Sequence, residues 1–551
     1  MENILNFIGN LPSAILPLVF LLGLLIAVHE FGHFIVARLC GVRVETFSLG
    51  FGKKIFQYKK GDTTYCLSLF PLGGYVKMFG EQPGDHISEA DKAFSFTHKT
   101  VYQRIAIVLA GPIMNFLFAI LIFFCIVNIG EETKPSIAGD IKIESEAYKT
   151  GFRSGDKVLS VGSVNVTNWD QLQDRLDEVK GTTTEVKVAR EITGEEATFP
   201  AEVKTVPNPN PLSLKSTVGE LEGLNYISEA PKVAVQPGSL AETLGFKTGD
   251  IITQVNEQKI SFLRELEGAF SKPGTYKVEV TRGDDPKKAE KLTIDFQMPT
   301  STQGFTAIGL AKTHLIIAEV FKNTPAAKAG LMPGDQFLSI DGTKLTDWEN
   351  VLNTIKSGSN EKPFDIVVLR EGKPKDFKIV PEVTTQMTLQ GKEEKRFAIG
   401  VRPMIGLTTN QSLIVRTNNP VTALNKAVGK TWDVTVMTIM GFVRMFQGQI
   451  SPKNIGGFIS IGQVAHDTFQ IGLVHFFSMM AIISVNLFVL NLLPVPLLDG
   501  GHLLFYVVEM VKGSPMSLKK MEIAQQVGLA LLLSLMVFAL FNDFSRLFQN
   551  M

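Results

Sequence analysis

Apolar residues in this 551-residue chain gather towards its two ends, while the middle is polar and charged. That asymmetry limits the fold more than any other feature of the sequence. About 20 consecutive apolar residues at helical rise cross the hydrocarbon core of a bilayer. Four stretches read as such crossings, at 14–36, about 105–129, about 476–505 and about 524–541. The middle is too polar to enter a membrane and too long for a simple loop, so it must fold in water. The expectation is a multi-domain membrane protein: a four-helix transmembrane core with a large water-exposed insert between the second and third crossings. The opening Met1-Glu2-Asn3 has no basic region, so the first crossing is expected to persist in the mature protein.

Lys and Arg near the crossings set the orientation. The loop 38–104 carries Arg43, Lys53, Lys54, Lys59, Lys60, Lys77, Lys92 and Lys99, and the last short loop carries Lys512, Lys519 and Lys520. Both loops are expected in the cytoplasm, which puts the insert in the periplasm of a bacterial cell whose inner membrane holds the spans. Lys plus Arg equals Asp plus Glu at 54 each, which argues against a nucleic-acid partner. Cys40, Cys66 and Cys125 read as small buried residues, not as disulfides or a zinc set.

Inside the insert one pattern recurs three times: Ala147-x3-Gly151-Phe152-x2-Gly155-Asp156, Ala241-x3-Gly245-Phe246-x2-Gly249-Asp250 and Ala326-x3-Gly330-Leu331-x2-Gly334-Asp335. Each copy reads as a short helix ending at glycine, a Gly-Asp turn and then a strand. The expected α+β modules lie at 131–205, 218–300 and 305–384, and they resemble PDZ domains of the bacterial protease type. Pro207 to Pro211 reads as a linker. From Val421 to Phe446 apolar residues recur at steps of three and four, with Lys426, Lys430, Asp433 and Arg444 between them. That predicts an amphipathic helix at the membrane interface within 415–450. Gly-rich alternation from Ser48 to Lys77 predicts a membrane-associated β-hairpin, so the flanking units are 1–130, with two spans and the hairpin, and 451–551, with the other two spans.

His29-Glu30-Phe31-Gly32-His33 places two imidazoles four residues apart, on one helix face, beside a carboxylate able to work on water at a metal. Charged groups at the end of an apolar span are costly unless paired or ligated, and one zinc ion per chain accounts for all three. A catalytic zinc takes three protein ligands, so one more donor is needed. Asn491-Leu492-Leu493-Pro494-Val495-Pro496-Leu497-Leu498-Asp499-Gly500-Gly501-His502 offers both Asp499 and His502, and residue chemistry alone leaves the two open.

Taken together, the HExxH, Gly111-Pro112-x2-Asn115-Phe116, the PDZ-like insert and Asn491-x2-Pro-x-Pro-x2-Asp-Gly resemble the site-2 protease family of intramembrane zinc metalloproteases along nearly the whole chain. The resemblance implies Asp499 as third ligand, Glu30 as the catalytic base, and Asn486 and Asn491 beside the zinc as substrate contacts, with Pro494 and Pro496 in the same motif. It implies strand addition of an unwound substrate at the Gly73-Gly74 hairpin. The implied substrate is a single-span membrane protein such as a pre-trimmed anti-sigma factor, with a peptide C-terminus as ligand of the modules. Family members with two such modules are the reference, so a third is a departure. A PDZ scaffold without catalysis and a metal transporter are the competing readings, and the transporter is disfavoured because the repeat lies in the insert and not in the membrane part.

Overall fold

The computed structural model describes residues 2–81, 87–191, 193–283, 289–298, 304–357, 362–387 and 393–549. The chain divides into two compact units, one of residues 1–132, 209–215 and 414–551, the other of residues 133–208 and 216–413.

The first unit begins with α1 (Glu2–Leu39), followed by strands β1 (Val44–Lys60) and β2 (Thr63–Met78) and by α2 (Val101–Ile129). After the insert come α3 (Pro420–Phe446), α4 (Phe458–Ile471), α5 (Leu473–Leu492), α6 (Asp499–Lys512) and α7 (Leu518–Gln549). Among the described residues, four helical stretches are long and apolar enough to cross a membrane: Ile15–Leu39, Val101–Ile129, Leu473–Leu492 and Lys519–Arg546. The third apolar helix stops at Leu492, short of the expected 505. Pro494 and Pro496 lack the N–H groups a continuing helix needs, and the chain restarts as α6 only at Asp499.

α2 starts at a reciprocal cap: the Gln103 N–H donates to Thr100 Oγ1 and the Thr100 N–H donates to Gln103 Oε1. Leu21 and Leu25 of α1, Ala119 and Phe123 of α2, and Met480, Ala481 and Val485 of α5 share one buried core. Gly32 allows α1 and α2 to touch, since a Cβ there would stand 2.3 Å from the Ala110 carbonyl oxygen. Such backbone proximity is how helices associate where hydrocarbon offers no hydrophobic drive.

The helix expected at the interface is α3, and it buries a small-residue stripe, Ala423, Ala427, Thr431 and Thr435. Thr438 of α3 donates to Asn486 Oδ1 of α5 at 2.7 Å, so this helix packs beside a span instead of lying alone on a surface. Cys66 is buried and Cys40 partly so, but Cys125 is exposed on α2, where a bilayer asks for no polar partner from a thiol.

β1 and β2 form the expected hairpin, with Val44 paired to Met78 at one end and Lys60 to Thr63 at the turn. Residues 46–49 sit between 64–67 and 74–77. Phe51, Ile55, Phe56, Leu67, Leu69 and Phe70 stand exposed on it, an apolar surface that suits lipid.

The second unit holds three copies of one four-stranded arrangement, with strand orders 164–165, 157–161, 182–189, 196–207, extended in this first copy by 217–220; 258–259, 251–255, 274–282, 290–298; and 343–344, 336–340, 364–370, 373–379. Each has its own core. The repeat is explained by its geometry. Ala147, Ala241 and Ala326 are buried residues of short helices capped by Ser145, Ser239 and Thr324. Gly155, Gly249 and Gly334 turn the chain at φ of 82°, 98° and 94°, which only glycine adopts without strain.

Each core draws in residues later than the expected ends: Leu221 and Leu224, then Phe305, Ile308 and Leu310, then Ile399 and Val401. A returning segment closes each copy, and no local period marks it. Finally, residues 407–409 pair antiparallel with 227–229, and the Ala230 N–H donates to the Gly406 carbonyl.

Buried aspartates fix the turns. Asp156, Asp250 and Asp335 accept the N–H of Arg153, Lys247 and Met332, and each meets an arginine 32 to 35 residues later. Arg190, Arg282 and Arg370 also donate to the carbonyls of Gly151, Gly245 and Gly330, tying helix end, turn and strand together. Arg282 and Arg370 hold both carboxylate oxygens of their partners, whereas Asp156 Oδ1 is buried without a donor.

Candidate metal centre

The last turns of α1 carry His29 and His33 on one face, and the first residue of α6 is Asp499. The fold brings these together across 470 positions of sequence, with one ligand-type atom from each lying within 4.8 Å of the others. His29 Nε2 stands 3.1 Å from Asp499 Oδ2, His33 Nε2 stands 3.6 Å from Asp499 Oδ1, and the two Nε2 atoms are 3.2 Å apart. His502, the competing donor, lies one turn along α6 outside this cluster of described residues.

α2 supplies the surroundings. His33 Nδ1 donates to the Ile107 carbonyl at 2.8 Å, which fixes the proton on Nδ1 and leaves the Nε2 lone pair facing the cluster. His29 Nδ1 lies 3.2 Å from the Asn115 amide, whose Oδ1 is otherwise a buried oxygen without a donor. With that amide turned so that Oδ1 accepts from Nδ1–H, the orphan is satisfied and the His29 Nε2 lone pair also points inward. Ser484 of α5 holds the Asn115 carbonyl at 2.8 Å. Gly111 leaves room for both rings, because a Cβ there would stand 2.3 Å from His33 Nε2 and 2.9 Å from His29 Cε1.

The donor set fits a divalent cation. Two imidazole lone pairs and the carboxylate of Asp499, whose Oδ2 has no hydrogen-bond donor, converge on one point, and such a group of buried acceptors is costly unless a cation lies among them. Tetrahedral ligands about 2.05 Å from zinc are about 3.3 Å from one another, close to the spacings seen here.

Glu30 follows His29 on α1 and lies against β2 at Gly74. Gly74 makes that approach possible, since a Cβ on it would sit 3.1 Å from Glu30 Cγ and 2.9 Å from the Ser48 carbonyl oxygen. Gly73 lies under the Phe51 ring, 1.8 Å from where its Cβ would be. Asn491 is half buried on the last turn of α5 and Asn486 is engaged by Thr438. Pro494 is exposed, while the Pro496 carbonyl packs on Gly528 of α7, where a Cβ would stand 2.1 Å away.

Between the prolines and Asp499, Leu497 adopts a φ of 90° with its side chain 42% exposed. A branched side chain there is strained by about 1–3 kcal/mol, and such strain persists only where the surroundings impose it. Gly500 and Gly501 press against the carbonyls of Leu493 and Val495, so the loop has no room to relax. Sequence reasoning found the helix-borne pair and the carboxylate. It assigned no roles to Ile107, Gly111 and Asn115; the Gly-Pro-x-x-Asn spacing in a span was the signal for the last two, while the Ile107 carbonyl carries none.

A helical unit that gathers two histidines, a carboxylate and a neighbouring glutamate has the donor set and base that a metallopeptidase requires, and the comparisons with known proteins place the chain in that class. The chain belongs to peptidase family M50, whose model matches residues 17–535. It is 30% identical over 98% of its length to the whole of the regulator of sigma-E protease RseP of Escherichia coli. The protease RseP of Yersinia pestis is 31% identical over 96% of this chain and 97% of its own. A Neisseria meningitidis protein described as a zinc metalloprotease is 31% identical over 97% of this chain and 99% of its own. Among solved structures, the HtrA-type protease AlgW with decapeptide overlaps 40% of this chain and 76% of that one at 14% identity, and its TM-score of 0.12 is too low to define a shared fold.

Proposed function

We propose that the chain is an intramembrane zinc endopeptidase that hydrolyses a peptide bond within or beside the transmembrane segment of a single-span membrane protein. The carrying observation is the meeting of His29, His33 and Asp499, with Glu30 adjoining them on α1. His29, His33 and Asp499 would hold one zinc ion, which when bound supplies Lewis acidity towards the scissile carbonyl and acidifies water. Glu30 takes the proton of the attacking water and returns it to the leaving amine. The Asn491 amide steadies the developing oxyanion and Asn486 holds substrate backbone, with Pro494 and Pro496 shaping the irregular wall that carries Asp499.

A transmembrane substrate must give up helical hydrogen bonds before its amide can be attacked. The β2 edge at Gly73 and Gly74, where Gly74 lies against the Glu30 side chain, offers replacement bonds by strand addition. By analogy with the relatives' names, the substrate is a pre-trimmed anti-sigma factor in a sigma-E-type stress response at the bacterial inner membrane, with the insert in the periplasm. The three repeated copies act as PDZ-like modules that exclude bulky ectodomains and bind a peptide C-terminus.

The deciding test is Glu30→Gln in the full chain. Cleavage of a transmembrane peptide is lost while one zinc per chain is retained. Undiminished cleavage, or zinc content unaffected by His33→Ala and Asp499→Ala, would return the chain to the scaffold or transporter readings.

A further inference from the structure

Arg104 at the start of α2 and Glu509 on α6 form a bidentate pair, Nη1 to Oε2 at 3.1 Å and Nη2 to Oε1 at 2.7 Å. The two side chains are only 12% and 13% exposed. Arg104 is held further by its Nε donating to the Lys99 carbonyl at 3.2 Å, and its guanidinium lies 4.9 Å from the centre of the Tyr506 ring. Tyr506 and Leu503 pack on the buried core of Ala37, Val42, Val76, Phe96 and Ile107.

The start of α6 is packed through backbone contacts of Gly500 and Gly501, and the Arg104–Glu509 pair is the side-chain tie that fixes its far half to α2. The helix starts directly at Asp499, with Leu498 at the cap position giving no side-chain hydrogen bond and strained Leu497 before it. α2 is also the helix that carries the Ile107 carbonyl, Gly111 and Asn115, the partners of both histidines.

We propose that Arg104 and Glu509 are positioning residues of the metal centre: their buried ion pair sets the register of α6 on α2 and thereby holds Asp499 against His29 and His33. The proposal rests on the zinc reading above. Glu509 lies ten residues beyond Asp499, about 15 Å along the helix, so the pair touches no reacting group. Its action is geometric. A slip of one residue moves Asp499 by about 1.5 Å and turns it by about 100°, whereas ligand distances tolerate about 0.2 Å. A planar, two-bonded guanidinium–carboxylate pair fixes both position and rotation, which a lysine does not.

The test measures zinc affinity of the full-length protein in detergent by chelator competition, together with kcat and KM on a transmembrane peptide. Glu509→Gln and Arg104→Lys are expected to weaken zinc binding by about 10–100-fold and to lower kcat with KM unchanged. The reversed pair, Arg104→Glu with Glu509→Arg, is expected to recover most of both. A lower Tm with zinc affinity within twofold of wild type would mean the pair only stabilises the fold, and the proposal would be overturned. Should the reversed pair fail to fold, Arg104→Lys decides alone by the same criterion. Asp499→Ala is the control: wild-type zinc affinity in that variant would sink the metal reading itself and not the role of the pair.

Discussion

Gly111 faces His33 so closely that a single added methyl would stand 2.3 Å from Nε2 and 2.5 Å from Cε1. His33 cannot retreat without breaking its bond to the Ile107 carbonyl. Gly111→Ala should therefore abolish zinc binding and cleavage while leaving helical content by circular dichroism unchanged. Normal zinc stoichiometry in that variant would show that the rings have room the structure denies them.

Asn115 meets the far nitrogen of His29, where an acceptor keeps the proton away from the metal-facing atom. Asn115→Ala should weaken zinc by about 10–100-fold, while Asn115→Asp, which keeps an acceptor in place, should come much closer to wild type. Equal losses in the two variants would mean that packing, not the acceptor, matters there.

Leu497 bears its strain immediately before the ligand loop turns into α6. Leu497→Gly removes the Cβ conflict and should raise thermal stability by about 1 kcal/mol, whereas Leu497→Val, branched at Cβ, should lower it. A Tm order opposite to this would argue that the side chain's contacts outweigh its backbone cost.

The three aspartate–arginine locks are unequal. Asp156 leaves one oxygen unpaired, and burial pushes its carboxyl above the ordinary value of 3.8. The folded first copy therefore binds a proton more readily than its unfolded chain, so this group destabilises the fold above the raised pKa and ceases to do so as pH falls below the unfolded value. Asp156→Asn should cost less than Asp335→Asn, whose two oxygens are both bonded to Arg370. Hydrogen exchange of the intact protein, followed separately in the 157–161 and 336–340 strands, reads the difference.

The readable parts of this protein were those with a short period or a local chemical cost. His29 and His33 repeat at a helical turn, and the Gly-Asp turns recur because positive φ demands glycine at Gly155, Gly249 and Gly334. Asp499 and His502 sit three residues apart on one helix, and residue chemistry left them equivalent. Their separation by position in space depends on how α6 packs. Arg190, Arg282 and Arg370 went unnoticed because nothing local ties an arginine to an aspartate more than 30 positions earlier. The closing residues Leu224, Leu310 and Val401 were missed for the same reason, and the expected ends of the copies fell short. The third apolar run read as one span to about 505, since composition cannot show that Leu493 to Leu498 leaves the helix.

The hydrogen bond from Ala230 to Gly406, continued by the pairing of 227–229 with 407–409, draws the chain into a closed neck. Everything in 231–405 is an excursion that departs from and returns to one spot. Joining the two neighbouring backbone ends directly would remove both later copies at once, at the cost of the ion pairs that Arg264 makes with Asp140 and Glu191 of the first copy.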